Sequence, residues 1–210
     1  MLLYKPRDRY SFITISRVDN FSTARAMNEK ELCIGGSSTK ATDKCMGFPR
    51  YVLLRAIAQY CATVDEALKL VSKYKEGLRN PFNVILVDAS GDAAVVEFSN
   101  CDMRIRIPEN GGIVCTNHYE TDLVKLEARG HALVFESKAR YARLIDFIKK
   151  CDRSKPIEEV MNVLRSHGPG GICQHSPPQV LCATLVFIMV PKMGWFYVSQ
   201  PLDLTVELSS

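Results

Sequence analysis

Apolar and polar residues alternate from Ser11 to Ser16, and this period of two predicts a strand with one covered face. Residues 1–10 read as a lead-in to it. Short strands are expected again near Ser22–Met27 and Leu32–Gly35, after which Gly35-Gly36-Ser37-Ser38 supplies loop chemistry that runs to about Phe48. The period changes at Pro49. Val52, Leu53, Ala56, Ile57 and Tyr60 recur at helical spacing and predict a helix with Pro49 in its first turn. Thr63-Val64-Asp65-Glu66 has the form of a capping box and opens a second helix, with Ala67, Leu68, Val71 and Tyr74 facing inward and Gly77 ending it.

The middle of the chain reads as a meander. Phe82–Asp88 and Ala93–Phe98 are joined by the turn signal Ala89-Ser90-Gly91-Asp92, and Met103–Ile107 alternates apolar residues with Arg104 and Arg106. The first two runs are apolar on both faces, so the sheet they form must lie between other layers. A third helix is expected over Ser137–Lys150, burying Tyr141, Leu144, Ile145 and Ile148. A fourth starts at Ser154, with Pro156 near its first position and Glu158 and Glu159 where the helix dipole favours acids. The tail returns to strand: Leu181–Val190, a hairpin partner at Trp195–Ser199, and an alternating edge strand carrying Leu202, Leu204, Val206 and Leu208. The element order suits an α+β sandwich of two antiparallel sheets between helical layers in one domain, residues 1–210.

One stretch concentrates the polar chemistry. Gly111-Gly112 mark a turn, Ile113-Val114-Cys115 fit a short buried strand, and Thr116, Asn117 and His118 then arrive together. Polar groups at the mouth of a buried strand need partners, because each unpaired one costs about 1–3 kcal/mol. Two readings stand: an Asx-turn that closes the strand end, or an Asn amide aimed into a cleft as an oxyanion donor.

Composition changes this picture little. The chain is 47% hydrophobic and 24% charged with a formal charge of +4, which excludes disorder, collagen and coiled coil. Lys149, Lys150, Arg153 and Lys155 form the local basic cluster. No aromatic interleaving accompanies them, so they read as a solvated helix end and nucleic acid is not expected as a partner. The apolar run Val180–Val190 is about half the length a bilayer span needs, and no membrane partner is expected. Eight cysteines without a CxxC pair, several inside apolar runs, suggest reduced thiols in a soluble, cytoplasmic protein. His167, Cys173, His175 and Cys182 match no compact zinc spacing, so no metal and no cofactor are expected. His167-Gly168-Pro169-Gly170-Gly171 reads as a flexible turn over a site.

Several short patterns, taken in order, resemble a family. Met27-Asn28-Glu29-Lys30-Glu31-Leu32 is similar to a Gly-Met-Asn-Glu-x-Gly-Leu motif. Gly47-Phe48-Pro49, Thr63-Val64-Asp65-Glu66-Ala67, Asn83–Asp88, Glu97 and Thr116-Asn117-His118-Tyr119 follow it in the same order, and Ser166-His167-Gly168 and Gly171-Ile172-Cys173-Gln174-His175 are similar to a late motif. Together they resemble the N-terminal-nucleophile (Ntn) hydrolases of the choloylglycine hydrolase and isopenicillin N acyltransferase group, over about residues 11–201.

The resemblance implies a four-layer αββα sandwich and cleavage or transfer at the amide bond of a small-molecule amide or acyl substrate. In such a site an N-terminal Cys attacks the acyl carbon with its own α-amine as base. Asn117, through its side chain, and Asn28, through its backbone N–H, stand where the oxyanion donors are expected. His118, Tyr119 and His175 become candidates for substrate contacts. Three departures accompany this. The nucleophilic Cys and a following Asp would precede the first matched motif, which implies an N-terminally truncated domain or a separate N-terminal chain. Ala26 and Glu31 occupy glycine positions, and Gln174 replaces an Arg. Cys33 and Cys115 are poor substitutes for the nucleophile, being embedded in strands without a base. Two functions follow: a cysteine-type amide hydrolase or acyltransferase, or a non-catalytic relative that binds. A missing edge strand would expose sheet edge and favour a homo-oligomer.

Overall fold

A computed structural model describes residues 1–15, 23–74, 78–109, 111–128, 132–168, 170–173 and 186–199. Seven strands, β1 (Leu2–Tyr4), β2 (Phe12–Thr14), β3 (Ala26–Asn28), β4 (Cys33–Ser38), β7 (Phe82–Val87), β8 (Ala93–Phe98) and β9 (Met103–Arg106), form one antiparallel sheet in that spatial order. Between β4 and β7 lie the two-residue strands β5 (Phe48–Pro49) and β6 (Leu78–Arg79), paired in parallel, with helices α1 (Arg50–Tyr60) and α2 (Val64–Val71) between them. After β9 come α3 (Ala132–Lys150), α4 (Pro156–Leu164) and an antiparallel hairpin of β10 (Val186–Val190) and β11 (Trp195–Ser199). The lead-in expected over residues 1–10 therefore contains a strand, paired through Leu2 with Thr14 and Tyr4 with Phe12.

Alternation splits the main sheet into two working faces. Phe12, Ala26, Ile34, Leu86, Ala94 and Val96 point toward α1 and α2, where Leu53, Leu54, Ile57, Val64, Ala67 and Val71 complete one core. Ile13, Met27 and Cys33 point the other way and meet Phe196 of the β10–β11 hairpin. Each of the larger side chains sealed here contributes about 1.5–3 kcal/mol. The result is α+β, a helical layer, a buried antiparallel sheet and a second antiparallel sheet, as the apolar runs on both faces of β7 and β8 required.

The buried stripe of α1 differs from the expected one. Val52 and Tyr60 are 54% and 53% exposed, whereas Leu53, Leu54, Ile57 and Ala58 are sealed. Apolar residues surround much of this helix, so two stripes fit helical spacing and contact with the sheet selects between them. At the start of α2 the Thr63 hydroxyl accepts the Glu66 N–H at 3.2 Å, while Glu66 Oε2 accepts from Ala62 N–H at 2.6 Å, one residue before the cap.

Two further local features bear on the sequence reading. Glu31, standing at a glycine position of the resembled motif, has φ +65°, a left-handed conformation that costs a residue with a Cβ about 1–2 kcal/mol. Cys45 and Cys101 form a disulfide, which corrects the expectation of eight reduced thiols and removes the cysteine-based argument for a reducing compartment. No helix among the described residues is long and apolar enough to cross a membrane.

Candidate functional site

The site is built on the sheet face that also receives the β10–β11 hairpin. Strand register places Ser37, Asn83, Glu97 and Arg104 in one row across β4, β7, β8 and β9. Asn83 and Glu97 are completely buried, and a buried amide or carboxylate is tolerable only with partners. Glu97 and Asn83 Nδ2 find them in the segment after β9, whereas the buried Asn83 Oδ1 has none among the described residues. Asn83 Nδ2 donates to the carbonyls of Thr116 at 3.0 Å and His118 at 2.7 Å. Glu97 accepts from the backbone N–H of Glu120 and of Thr121, each at 3.1 Å, and from the Thr121 hydroxyl at 2.8 Å. It also accepts from Arg106 Nε at 2.8 Å, and the same guanidinium reaches the Val114 carbonyl at 2.8 Å. The strand expected over Ile113–Cys115 is therefore absent. The carbonyls of Val114, Thr116 and His118 bond to side chains instead of a neighbouring ladder, and apolar burial alone does not separate the two cases.

This frame fixes Asn117. Its backbone N–H donates to Ser137 Oγ at 2.7 Å, its Nδ2 donates to the Ser38 carbonyl at 3.0 Å, and its Oδ1 accepts from Arg140 Nη2 at 3.0 Å. A guanidinium on Oδ1 polarises the amide and strengthens its N–H groups as donors. Burial lowers the Arg140 pKa from its ordinary value, with Glu136 acting against the shift. The second Nδ2 hydrogen has no protein acceptor among the described residues.

His118 lies beside it, 2% exposed. Its Nδ1 is 2.8 Å from Ser137 Oγ and 3.1 Å from Thr116 Oγ1, and its Nε2 is 2.5 Å from Glu120 Oε1. The roles of the two ring nitrogens follow from the protons assigned, and the following arrangement fits these distances. Ser137 accepts from Asn117 N–H and donates to Nδ1, and Nε2–H donates to the Glu120 carboxylate. Tyr141 closes the ring edge-on, 5.5 Å between centroids.

Other candidates fall elsewhere. Tyr119 is a core residue, corrected from the expected substrate contact: its hydroxyl donates to the Phe98 carbonyl at 2.8 Å and accepts from Thr39 at 3.0 Å. Asn28 is corrected as an oxyanion donor. Its backbone N–H closes the β3–β4 turn onto the Leu32 carbonyl at 3.1 Å, and its Nδ2 caps the end of α1 on the carbonyls of Ala58 at 3.0 Å and Cys61 at 2.7 Å. It faces the helical layer, opposite Asn83 and Glu97. His175, with Gln174 and Cys182, lies outside the described residues. Ser137 and Arg140 were not singled out from sequence; the available signal was their three-residue spacing, which places both on one side of α3. The thiols of Cys33 and Cys115 are pushed up to about 12 and that of Cys61 to about 11, in each case first by burial. None of the three is a ready nucleophile. No cluster of three or more metal-ligating side chains occurs among the described residues.

A helical layer, a buried antiparallel sheet, a second antiparallel sheet and a polar constellation on the face between the sheets define an α+β fold of the Ntn-hydrolase class. Solved structures share it. Penicillin V acylase from Agrobacterium tumefaciens superposes with a TM-score of 0.58 at 18% identity, over 91% of this chain and 66% of that one. Two variants of conjugated bile acid hydrolase from Clostridium perfringens superpose at 0.58 and 0.59, each at 15% identity, over 91% of this chain and 74% of theirs. This chain thus spans just under two thirds of the length of the penicillin V acylase chain. The model of the acyl-coenzyme A:6-aminopenicillanic acid acyl-transferase family matches residues 1–192, and the chain belongs to that family. No curated protein matches it.

Proposed function

We propose that this chain supplies the oxyanion-stabilising part of an amide (C–N) hydrolase or acyltransferase site, with Asn117 as the donor to the developing oxyanion. In the reaction a nucleophile attacks the acyl carbon, the carbonyl oxygen becomes an oxyanion, and the amine leaves with a proton. A donor held before the reaction begins stabilises that charge without reorganisation. The observation that carries the reading is the anchoring of the Asn117 amide by Ser38, Arg140 and Ser137, which leaves one N–H without an acceptor among the described residues. His118 acts as a positioning residue, holding Ser137 under the Asn117 backbone. The thiols of Cys33, Cys61 and Cys115 do not fit the role of nucleophile, and the reading assigns the attack to a group other than these three. The substrate class is a small-molecule amide or acyl donor.

The test uses protein isolated from its natural source and a substrate panel of penicillin V, a conjugated bile acid, and 6-aminopenicillanic acid with an acyl-coenzyme A. Asn117→Ala is expected to lower turnover of whichever amide is accepted by about 100–1000-fold, with a much smaller effect on KM. Turnover within threefold of the unaltered protein would sink the assignment. A second reading, a non-catalytic scaffold that binds, is favoured by the raised pKa values of Cys33, Cys61 and Cys115. Absence of turnover across the whole panel would select it.

A further inference from the structure

A cleft of about 640 Å³ opens between β9 and α3. Its volume lies within the ~300–1000 Å³ range of small-molecule sites. Ile105, Ile113, Ile145 and Ile148 supply an apolar body, and Arg106 and Glu120 line the same cavity. One end is closed by a tight approach of backbone to side chain, because a Cβ at Gly112 would come within 2.8 Å of Ile148 Cγ2.

The charges within the cleft are unequal in their commitments. The Arg106 guanidinium is already spent on Glu97 and the Val114 carbonyl, both at 2.8 Å. Glu109 and Lys149 also line the cavity. Glu120 has one oxygen on His118 Nε2. Its other oxygen has no protein partner among the described residues, and the side chain is 33% exposed. A cavity with an isoleucine-lined wall and a carboxylate oxygen without a protein partner among the described residues complements a cation with an apolar body.

We propose that this cleft is a binding site for a small primary amine carrying an aliphatic or aryl body, the ammonium on Glu120 and the body against the isoleucines. The proposal goes beyond the acyl-transfer reading and does not rest on it.

Isothermal titration calorimetry on the purified 210-residue chain at about pH 7.5 tests it with three probes of equal length: heptylamine, heptanol and heptanoate. Heptylamine is expected to bind about tenfold more tightly than heptanol, with heptanoate weakest. Glu120→Gln should bring amine and alcohol within twofold of each other. Ile145→Trp, which fills the cavity while leaving the carboxylate, should weaken heptylamine tenfold or more. Circular dichroism confirms that each variant is folded, and if Glu120→Gln is not, the wild-type probe series and Ile145→Trp still decide. Asn117→Ala should leave heptylamine affinity unchanged, so loss of turnover and loss of amine binding are separately read. Equal affinity for amine and alcohol, a preference that survives Glu120→Gln, an affinity unmoved by Ile145→Trp, or no binding of any probe would each overturn the proposal.

Discussion

Replacing Glu97 by alanine removes the acceptor around which the Thr116–Thr121 segment closes. The carboxylate is completely buried and holds Arg106 Nε at 2.8 Å, two backbone N–H groups at 3.1 Å and the Thr121 hydroxyl at 2.8 Å. Alanine strands the Arg106 guanidinium, whose side chain is only 18% exposed, and leaves the Glu120 and Thr121 amides without an acceptor. Breaking a buried ion pair from one side costs about 3–5 kcal/mol, a large share of the ~5–15 kcal/mol that holds a domain together. Glu97→Gln retains one acceptor oxygen and loses the charge, so its cost is smaller, about 1.5–3 kcal/mol. In the double variant Glu97→Leu/Arg106→Leu the stranded charge is gone but the orphaned amides remain. Its cost should therefore fall short of the two single costs added, by more than about 1 kcal/mol. Urea unfolding followed by far-ultraviolet circular dichroism measures these variants, together with Glu97→Leu, Arg106→Leu and wild type, at constant m. An alanine variant within about 1 kcal/mol of wild type, or alanine and glutamine variants of equal stability, would refute the view that this carboxylate organises the site.

Two more outcomes are expected. Glu31→Gly relieves the left-handed residue at φ +65° and, after the extra chain entropy of glycine is subtracted, should stabilise the protein by roughly 0.5–1 kcal/mol; a lower urea midpoint would contradict this. The thiols of Cys33, Cys61 and Cys115 have folded pKa values of about 12, 11 and 12 against an ordinary 9.0, so the folded protein keeps protons that the unfolded chain releases. Stability is then fully present below about pH 9 and declines as pH rises from there toward 11, with a shallower decline in a Cys33→Ala/Cys115→Ala variant. In the native protein iodoacetamide should leave these three unmodified at about pH 8, while a non-reducing peptide map recovers Cys45 joined to Cys101. A pH-independent urea midpoint between about pH 9 and 10 would count against the buried-thiol assignment.

Much of the architecture was legible because it is local. The turn at Ala89–Asp92 and the two-faced apolar runs on either side identified β7, β8 and their position inside the protein, since a strand covered on both sides has no polar alternate. Thr63 and Glu66 marked the start of α2 through chemistry confined to five residues. Pro156, Glu158 and Glu159 did the same for α4. Glu31 was legible as a residue at a glycine position of the resembled motif, and the positive φ there is the physical reason a glycine suits it.

The site was legible in its residues but not in its partners. Thr116, Asn117 and His118 stood out as polar groups that could not remain unpaired. Their hydrogen bonds nevertheless go to Ser38, Asn83, Ser137, Arg140 and Glu120, mostly distant in sequence, and no periodicity encodes which of these will be near. The same limit explains Asn28 and Tyr119. By motif position Asn28 was expected as an oxyanion donor and Tyr119 as a substrate contact, and the polar groups of each are consumed by carbonyls brought to it from other elements.

What the sequence alone determined is therefore the alternation of strand and helix, the burial of the meander and the concentration of polar chemistry near Asn117, all governed by interactions among residues close in the chain. Tertiary structure decided which stripe of α1 is sealed, that Cys45 meets Cys101, and that residues 114–121 are held by Asn83, Glu97 and Arg106 instead of a ladder. It also decided that Asn28 and Asn117 lie on opposite faces of one sheet. Those outcomes depend on satisfying buried polar groups across the sheet, a constraint that exists only once the layers have come together.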